Sequence, residues 1–251
     1  MIGINLSGRT ILITGALGAI AEHMVRRLAE AGATLALTDV KADDEAKQLL
    51  SVWGIPPSSY YYFSADITDS SQVNRVVDAA FERSPGLDTV IGHAGGCGLH
   101  PFASTSEADF ERIFRFNFFA QTYLARAVLA EWMRRKIAGH LIFTSSYVAR
   151  MPHTQISSYA AAKAALENFA RSLALEYALT GIRVNLVSPG RRVAPTLSYI
   201  WLTTSRRARP TRGTTSPPAP STSHGASPAI PKNFGRFKNS RLCELRLKIP
   251  G

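Results

Sequence analysis

Six short runs rich in aliphatic, aromatic and β-branched residues, at 10–14, 34–38, 60–64, 89–92, 140–144 and 183–187, are separated by longer segments of helical period. This alternation constrains the fold more than any other feature, because parallel neighbours need long crossovers and helical crossovers cover both faces of a sheet. The order β-α-β-α-β-α-β-α-β-α-β predicts an α/β fold, a doubly wound parallel sheet of Rossmann-like type with helices on both faces. The segment 19–30 sets Ile20, Met24, Leu28 and Ala31 on one stripe, and Gly32 supplies a stop. Asp69 or Ser70 is placed to cap the helix carrying Val73, Val76, Val77 and Ala80. Ser106 precedes the long run through Phe110, Ile113, Phe114, Asn117 and Leu124.

The pattern stops near Gly190, and the composition changes there. Residues 1–190 hold 17 Lys and Arg against 17 Asp and Glu, whereas 191–251 hold 12 basic residues, the single acid Glu244 and 8 of the 14 prolines. The net charge of +11 therefore lies wholly in the last segment. Two regions follow: a dinucleotide-binding catalytic domain over 1–190, and a basic tail rich in Pro, Ser and Thr over 191–251. Residues 205–231 have the composition of disorder, and the alternation at 245–249 suits an edge strand. An out-of-frame end to the coding sequence is one reading of this atypical C-terminal region. A tail that binds nucleic acid is another, disfavoured because Phe234 and Phe237 are the aromatics interleaved among its later charges. Cys97 and Cys243 lack metal-ligand spacing, so neither a metal site nor a disulfide framework is expected. No apolar run approaches the roughly 20 residues of a membrane span, and residues 1–8 lack signal-peptide features. A soluble, cytoplasmic protein without a membrane partner is the expectation.

The first strand runs into Gly15-Ala16-Leu17-Gly18-Ala19-Ile20 and then a helix, a setting in which backbone N–H groups hold a pyrophosphate. A tight turn with no ligand is the alternative. Asp39 closes the second strand near the spacing at which a carboxylate binds ribose hydroxyls and repels a 2′-phosphate, which favours NAD. Its neighbours Asp43, Asp44 and Glu45 leave open a solvated loop acid. Ser146 follows the fifth strand, and Tyr159 and Lys163 stand four apart on a helical segment. That spacing places phenol and ammonium on one face. Lowering a phenol from pH ~10 to about 7–8 requires roughly 3–4 kcal/mol of differential stabilisation, which a close lysine can supply. Taken singly, the three residues also suit a cap, a packed aromatic and a solvated charge.

Together these residues resemble the short-chain dehydrogenase/reductase family over most of 6–190. Residues 14–21 look like its cofactor turn, and Asp66-Ile67 like its adenine-contacting pair. His93-Ala94-Gly95-Gly96 sits at its Asn-Asn-Ala-Gly strand end, and Asn117 at its active-site Asn. Ser146, Tyr159 and Lys163 match the catalytic Ser and the Tyr-x-x-x-Lys, and residues 185–190 match the Pro-Gly motif that ends in Pro189 and Gly190. The resemblance implies a reversible alcohol–carbonyl redox step with NAD as hydride carrier and a small alcohol or ketone as substrate. It implies that Tyr159 moves the hydroxyl proton, Lys163 lowers the Tyr pKa and holds the nicotinamide ribose, Ser146 polarises the carbonyl, and Asn117 helps hold a proton-relaying water. Cofactor contacts are implied at Gly15, Gly18, Ala19, Ile20, Asp39, Asp66, Ile67, His93, Ala94, Gly95, Tyr159, Lys163, Pro189 and Gly190. A homodimer or homotetramer through helices around 110–135 and 157–179 is implied too. Burial against the chain's own sheet is the other reading of Phe118, Phe119, Tyr123, Phe169 and Leu173 there.

The chain departs from the family in three places. Ala19 and Ala21 replace the second and third glycines of the turn, and Gly92 and His93 replace the two strand-end asparagines. Beyond Gly190 the expected threonine, substrate-covering helix pair and seventh strand are not recognisable, Thr196 lying two places late. A site left wet and a sheet edge left bare would give a catalytically impaired dinucleotide-binding or scaffold protein, the alternative to an active enzyme.

Overall fold

The six strands form where β-branched and aliphatic runs demand them: β1 (Thr10–Thr14), β2 (Thr34–Asp39), β3 (Tyr60–Ser64), β4 (Thr89–Gly92), β5 (His140–Thr144) and β6 (Arg183–Ser188). They are seen in a computed structural model, which describes residues 4–190 and the backbone of 201–203. The described residues belong to one compact unit, Met1–Arg209. A second unit, Pro210–Gly251, lies outside them, as do Thr196, the disorder expected at 205–231, Phe234, Phe237 and the strand expected at 245–249.

With β7 (Trp201–Thr203), the sheet order is β3-β2-β1-β4-β5-β6-β7, parallel from β3 through β6. The chain reverses its direction of travel between β1 and β4, so the carboxyl ends of those strands flank the crevice where open α/β sheets collect ligands. β1 is buried on both faces. Ile11 and Ile13 join Leu35 and Leu37 in a core that takes in Val25 of α1 (Ala19–Glu30) and Leu50 of α2 (Asp43–Val52). Leu12, Ala36, Val90, Leu141 and Phe143 point into the opposite core, with α3 (Ser70–Arg83), α5 (Ala120–Arg135) and α6 (Ser157–Glu176). Trp132 is fully buried there and donates its indole N–H to the Leu87 carbonyl at 2.8 Å.

Two expectations are corrected. The buried stripe of α1 is Ala21, Val25 and the flanking Met24 and Leu28, not one starting at Ile20, which is 60% exposed. The helix approaches the sheet through its smallest side chain, so the stripe is rotated by one position. The outer edge of β6 is also not bare: β7 (Trp201–Thr203) pairs with it antiparallel, Leu186 opposite Thr203 and Ser188 opposite Trp201. Three residues suffice to satisfy that stretch of ladder.

Between α4 (Glu107–Phe114) and α5 the chain makes a π-helical turn, Arg115–Phe119. The widened turn carries Asn117 into the interior, where it is fully buried.

Candidate active site

The β1–α1 turn is held against the ends of β2 and β4. Gly15 has φ +65°, and a Cβ on it would stand 2.6 Å from the Ala94 Cα, so only glycine fits. Leu17 N–H donates to Asp39 Oδ2 at 3.1 Å, and Val40 N–H to Asp39 Oδ1 at 2.9 Å. Gly18 is the N-cap of α1 and no side chain caps the helix, so its first N–H groups face the crevice. A cavity of about 220 Å³ opens there, lined by Gly15, Gly18, Asp39, Val40, Ala65, Ile67, His93, Ala94, Gly95 and Phe116.

These features fit a dinucleotide: a glycine-only turn, an uncapped helix N-terminus for the pyrophosphate, and a carboxylate on the wall for the ribose. Ala19 and Ile20 lie on the exposed first turn of α1. Asp66 is also exposed and turns into its own loop, accepting from the N–H and hydroxyl of Thr68 at 2.8 Å each. Its neighbour Ile67, 5% exposed, reaches the cavity instead.

The strand ends are braced by side chains outside the predicted set. Thr14 Oγ1 accepts from His93 N–H at 3.2 Å and Ala94 N–H at 3.3 Å. Gln121 Nε2 donates to the Ala94 carbonyl at 2.7 Å. Its Oε1 lies 2.3 Å from where a Gly92 Cβ would be, so the glycine at the strand end makes room for an amide delivered from α5. Asn117 completes the bracket: its Oδ1 accepts from Gly96 N–H, and its Nδ2 donates to the Gly96 and Ile113 carbonyls. Both its amide hydrogens are thus committed to main chain. Gln121 stands four residues after Asn117, and that spacing is the signal in the sequence that would have found it.

His93 Nδ1 lies 3.0 Å from Thr144 Oγ1, and burial with the nearby Lys163 charge pushes its imidazole below the ordinary value. Ser146, 9% exposed, follows β5 and begins the 3₁₀ turn Tyr147–Ala149; its hydroxyl shares a hydrogen bond with that of Tyr159. Lys163 is 2% exposed and donates to the Thr144 carbonyl at 2.9 Å. Its Nζ stands 5.7 Å from the Tyr159 ring centre and 3.1 Å from where a Gly95 Cβ would be. Pro189 ties in through its carbonyl, which accepts Tyr147 N–H at 3.1 Å, and Gly190 follows it. Among the described residues no group of three His, Cys, Asp or Glu side chains could hold a metal ion.

In the protein by itself, burial shifts both titrating groups. Tyr159 is held above the usual phenol value, chiefly by burial and despite the Ser146 hydrogen bond. Burial lowers Lys163 to about 8, so the lysine has lost much of its own preference for charge and its Nζ is turned to the Thr144 carbonyl. In this geometry the phenol is protonated at neutral pH.

Residues 9–200 match the sequence profile of the short chain dehydrogenase family. A glucose 1-dehydrogenase of Gluconobacter oxydans is 32% identical over 198 residues, 79% of this chain and 74% of that protein. The oxidoreductase UcpA of Salmonella typhimurium is 36% identical over 187 residues, 74% of this chain and 70% of the relative. Among solved structures, a dehydrogenase/reductase from Sinorhizobium meliloti superposes with a TM-score of 0.68 at 31% identity, covering 75% of this chain and 74% of the other.

Proposed function

The chain belongs to the short-chain dehydrogenase family of oxidoreductases, and from that premise we propose that it moves a hydride between NAD(H) and a small alcohol or ketone by a Ser-Tyr-Lys mechanism. One observation carries this reading: Ser146, Tyr159 and Lys163, from two elements, converge beside the Gly95 rim of the cavity at the β1–α1 turn. Bound there, the nicotinamide supplies the hydride acceptor for oxidation or the donor for reduction. In reduction, the protonated Tyr159 hydroxyl gives its proton to the substrate oxygen, and Ser146 Oγ donates a hydrogen bond to the same atom. In oxidation Tyr159 takes the proton back. Lys163, anchored on the Thr144 carbonyl, keeps a cation beside the phenolate as it forms and faces the ribose side of the crevice. Gly15, Gly18, Asp39 and Ile67 hold the adenosine half, with Asp39 favouring NAD over NADP.

Family membership and the partly exposed Phe119 support a homodimer or homotetramer. Among the described residues no helix is long and apolar enough to cross a membrane, and cytoplasmic residence is part of the same reading.

A panel of alcohols and ketones, followed by NADH absorbance, tests the proposal. Turnover with NAD at least ~10-fold more efficient than with NADP is expected, and Tyr159→Phe abolishes it while dinucleotide binding persists. Unchanged activity in that variant removes the mechanism. Dinucleotide binding without turnover on any substrate leaves a binding protein.

A further inference from the structure

Glu167 lies one helical turn beyond Lys163 and two beyond Tyr159 on the same face of α6, and it is 3% exposed. Its carboxylate gathers four donors from four places. Oε1 accepts from Ser145 Oγ and Ser188 Oγ, both at 3.1 Å. Oε2 accepts from Arg150 Nε at 2.7 Å and Arg171 Nη2 at 2.9 Å. Ser145 immediately precedes Ser146, and Ser188 precedes Pro189, whose carbonyl accepts Tyr147 N–H. Arg150 closes the 3₁₀ turn that Ser146 begins. Glu167, Arg150 and Ser188 line a cavity of about 220 Å³ together with Ser146, Tyr147 and Met151.

One side chain on the Tyr159 helix therefore grips the ends of β5 and β6 and the turn after Ser146. A carboxylate taken out of water is costly unless fully partnered, and a buried ion pair adds little net stability, so what this one contributes is geometry. We propose that Glu167 is a positioning residue, fixing the Ser146 segment against the helix that carries Tyr159 and Lys163. The proposal rests on the oxidoreductase reading above. It concerns alignment alone, because Glu167 is placed to act through Ser146 and not on the substrate.

The test uses the full chain and a double-mutant cycle. Glu167→Ala lowers kcat by ~30- to 100-fold, the scale of a misplacement near 1 Å, while the dinucleotide Kd stays within about twofold. Glu167→Gln keeps both seryl bonds through its amide oxygen but loses those from Arg150 and Arg171, so its kcat falls by ~10-fold, between wild type and Glu167→Ala. Adding Glu167→Ala to Ser146→Ala costs nothing further, since the residue acts through that serine. An additive loss, a parallel fall in dinucleotide affinity, or a Glu167→Ala kcat within threefold of wild type overturns the proposal. Amide exchange over residues 145–151 gives a readout independent of turnover. It rises in Glu167→Ala while 10–14 and 34–39 keep their protection, and unchanged exchange overturns the tie. If wild type turns over no substrate, the functional reading fails by itself, and the exchange result alone decides for or against the tie. Arg150→Ala loosens the same turn from its solvent side, with ~10-fold lower kcat and the same exchange pattern expected, and it decides the matter should Glu167→Ala not fold.

Discussion

Lys163 shows the conflict that the site contains. A buried ammonium is unfavourable, and its lowering to about 8 means that the folded chain gives up this proton before the unfolded chain does, whose lysine titrates near 10.5. Below about pH 8 the group is charged in both states and folding bears the full cost. Between about 8 and 10.5 the folded chain binds fewer protons, so stability rises with pH and the cost fades. Lys163→Met is therefore expected to abolish turnover yet stabilise the fold at pH 7 by ~1–2 kcal/mol, after allowance for the lost bond to Thr144. Urea melts at pH 7 and pH 9.5 check this, the gain being smaller at the higher pH.

Gly15 makes the complementary case on the cofactor side. Gly15→Ala meets backbone at Ala94 with the wrong sign of φ, so a loss of ~1–3 kcal/mol in unfolding free energy and a dinucleotide Kd raised more than ~10-fold are expected. Calorimetric titration and chemical unfolding measure both. Gly18→Ala is the control for the unfolding measurement alone, since its Cβ would meet only the Gly15 carbonyl oxygen at 3.5 Å. At this scale the sequence disclosed the reactive groups, because helical spacing alone brings Tyr159 and Lys163 to one face. It did not disclose Thr14, Gln121 or Glu167, whose partners are main-chain groups or side chains brought near by strand order.

The elements were legible wherever a local signal sets them. Asp69, not Ser70, caps α3, accepting from Ser71 N–H at 2.8 Å and Gln72 N–H at 3.4 Å. Asp69→Ala is expected to cost ~1 kcal/mol, read as a lower midpoint in thermal or urea unfolding with little change in dinucleotide affinity. Ser106 caps α4 in the same manner, accepting from Asp109 N–H. The local signal fails at the π-helical turn, since hydrophobic period does not report an extra residue in a helix, and fails again at α1. There the expected stripe began at Ile20, but contact with the sheet selects Ala21 for its size. β7 escaped notice because three residues carry no period and form a strand only against an existing edge.

For the molecule as a whole, the order of strands decides what the side chains can do together. Several apolar positions of α5 and α6 that also suited a contact between copies are used inside the protomer: Phe118, Tyr123 and Phe169 pack on the core, and Leu173 is 8% exposed. Phe119, 44% exposed, is left on the surface. Sedimentation is expected to give at least twice the chain mass, and Phe119→Asp to lower it toward the monomer. Among the described residues, the walls of the crevice between β1 and β4 all come from the charge-balanced 1–190.

The amino-acid order by itself determined the alternation of strand and helix, the caps, the Gly15 turn and the pairing of phenol with amine, because each depends on spacing within a few residues. The tertiary structure decided the protonation preferences of Tyr159 and Lys163, the use of Gln121 to fill the space above Gly92, and the four-way grip of Glu167. Those depend on burial and on which strand ends lie side by side, quantities that exist only once separate strands and helices have packed together.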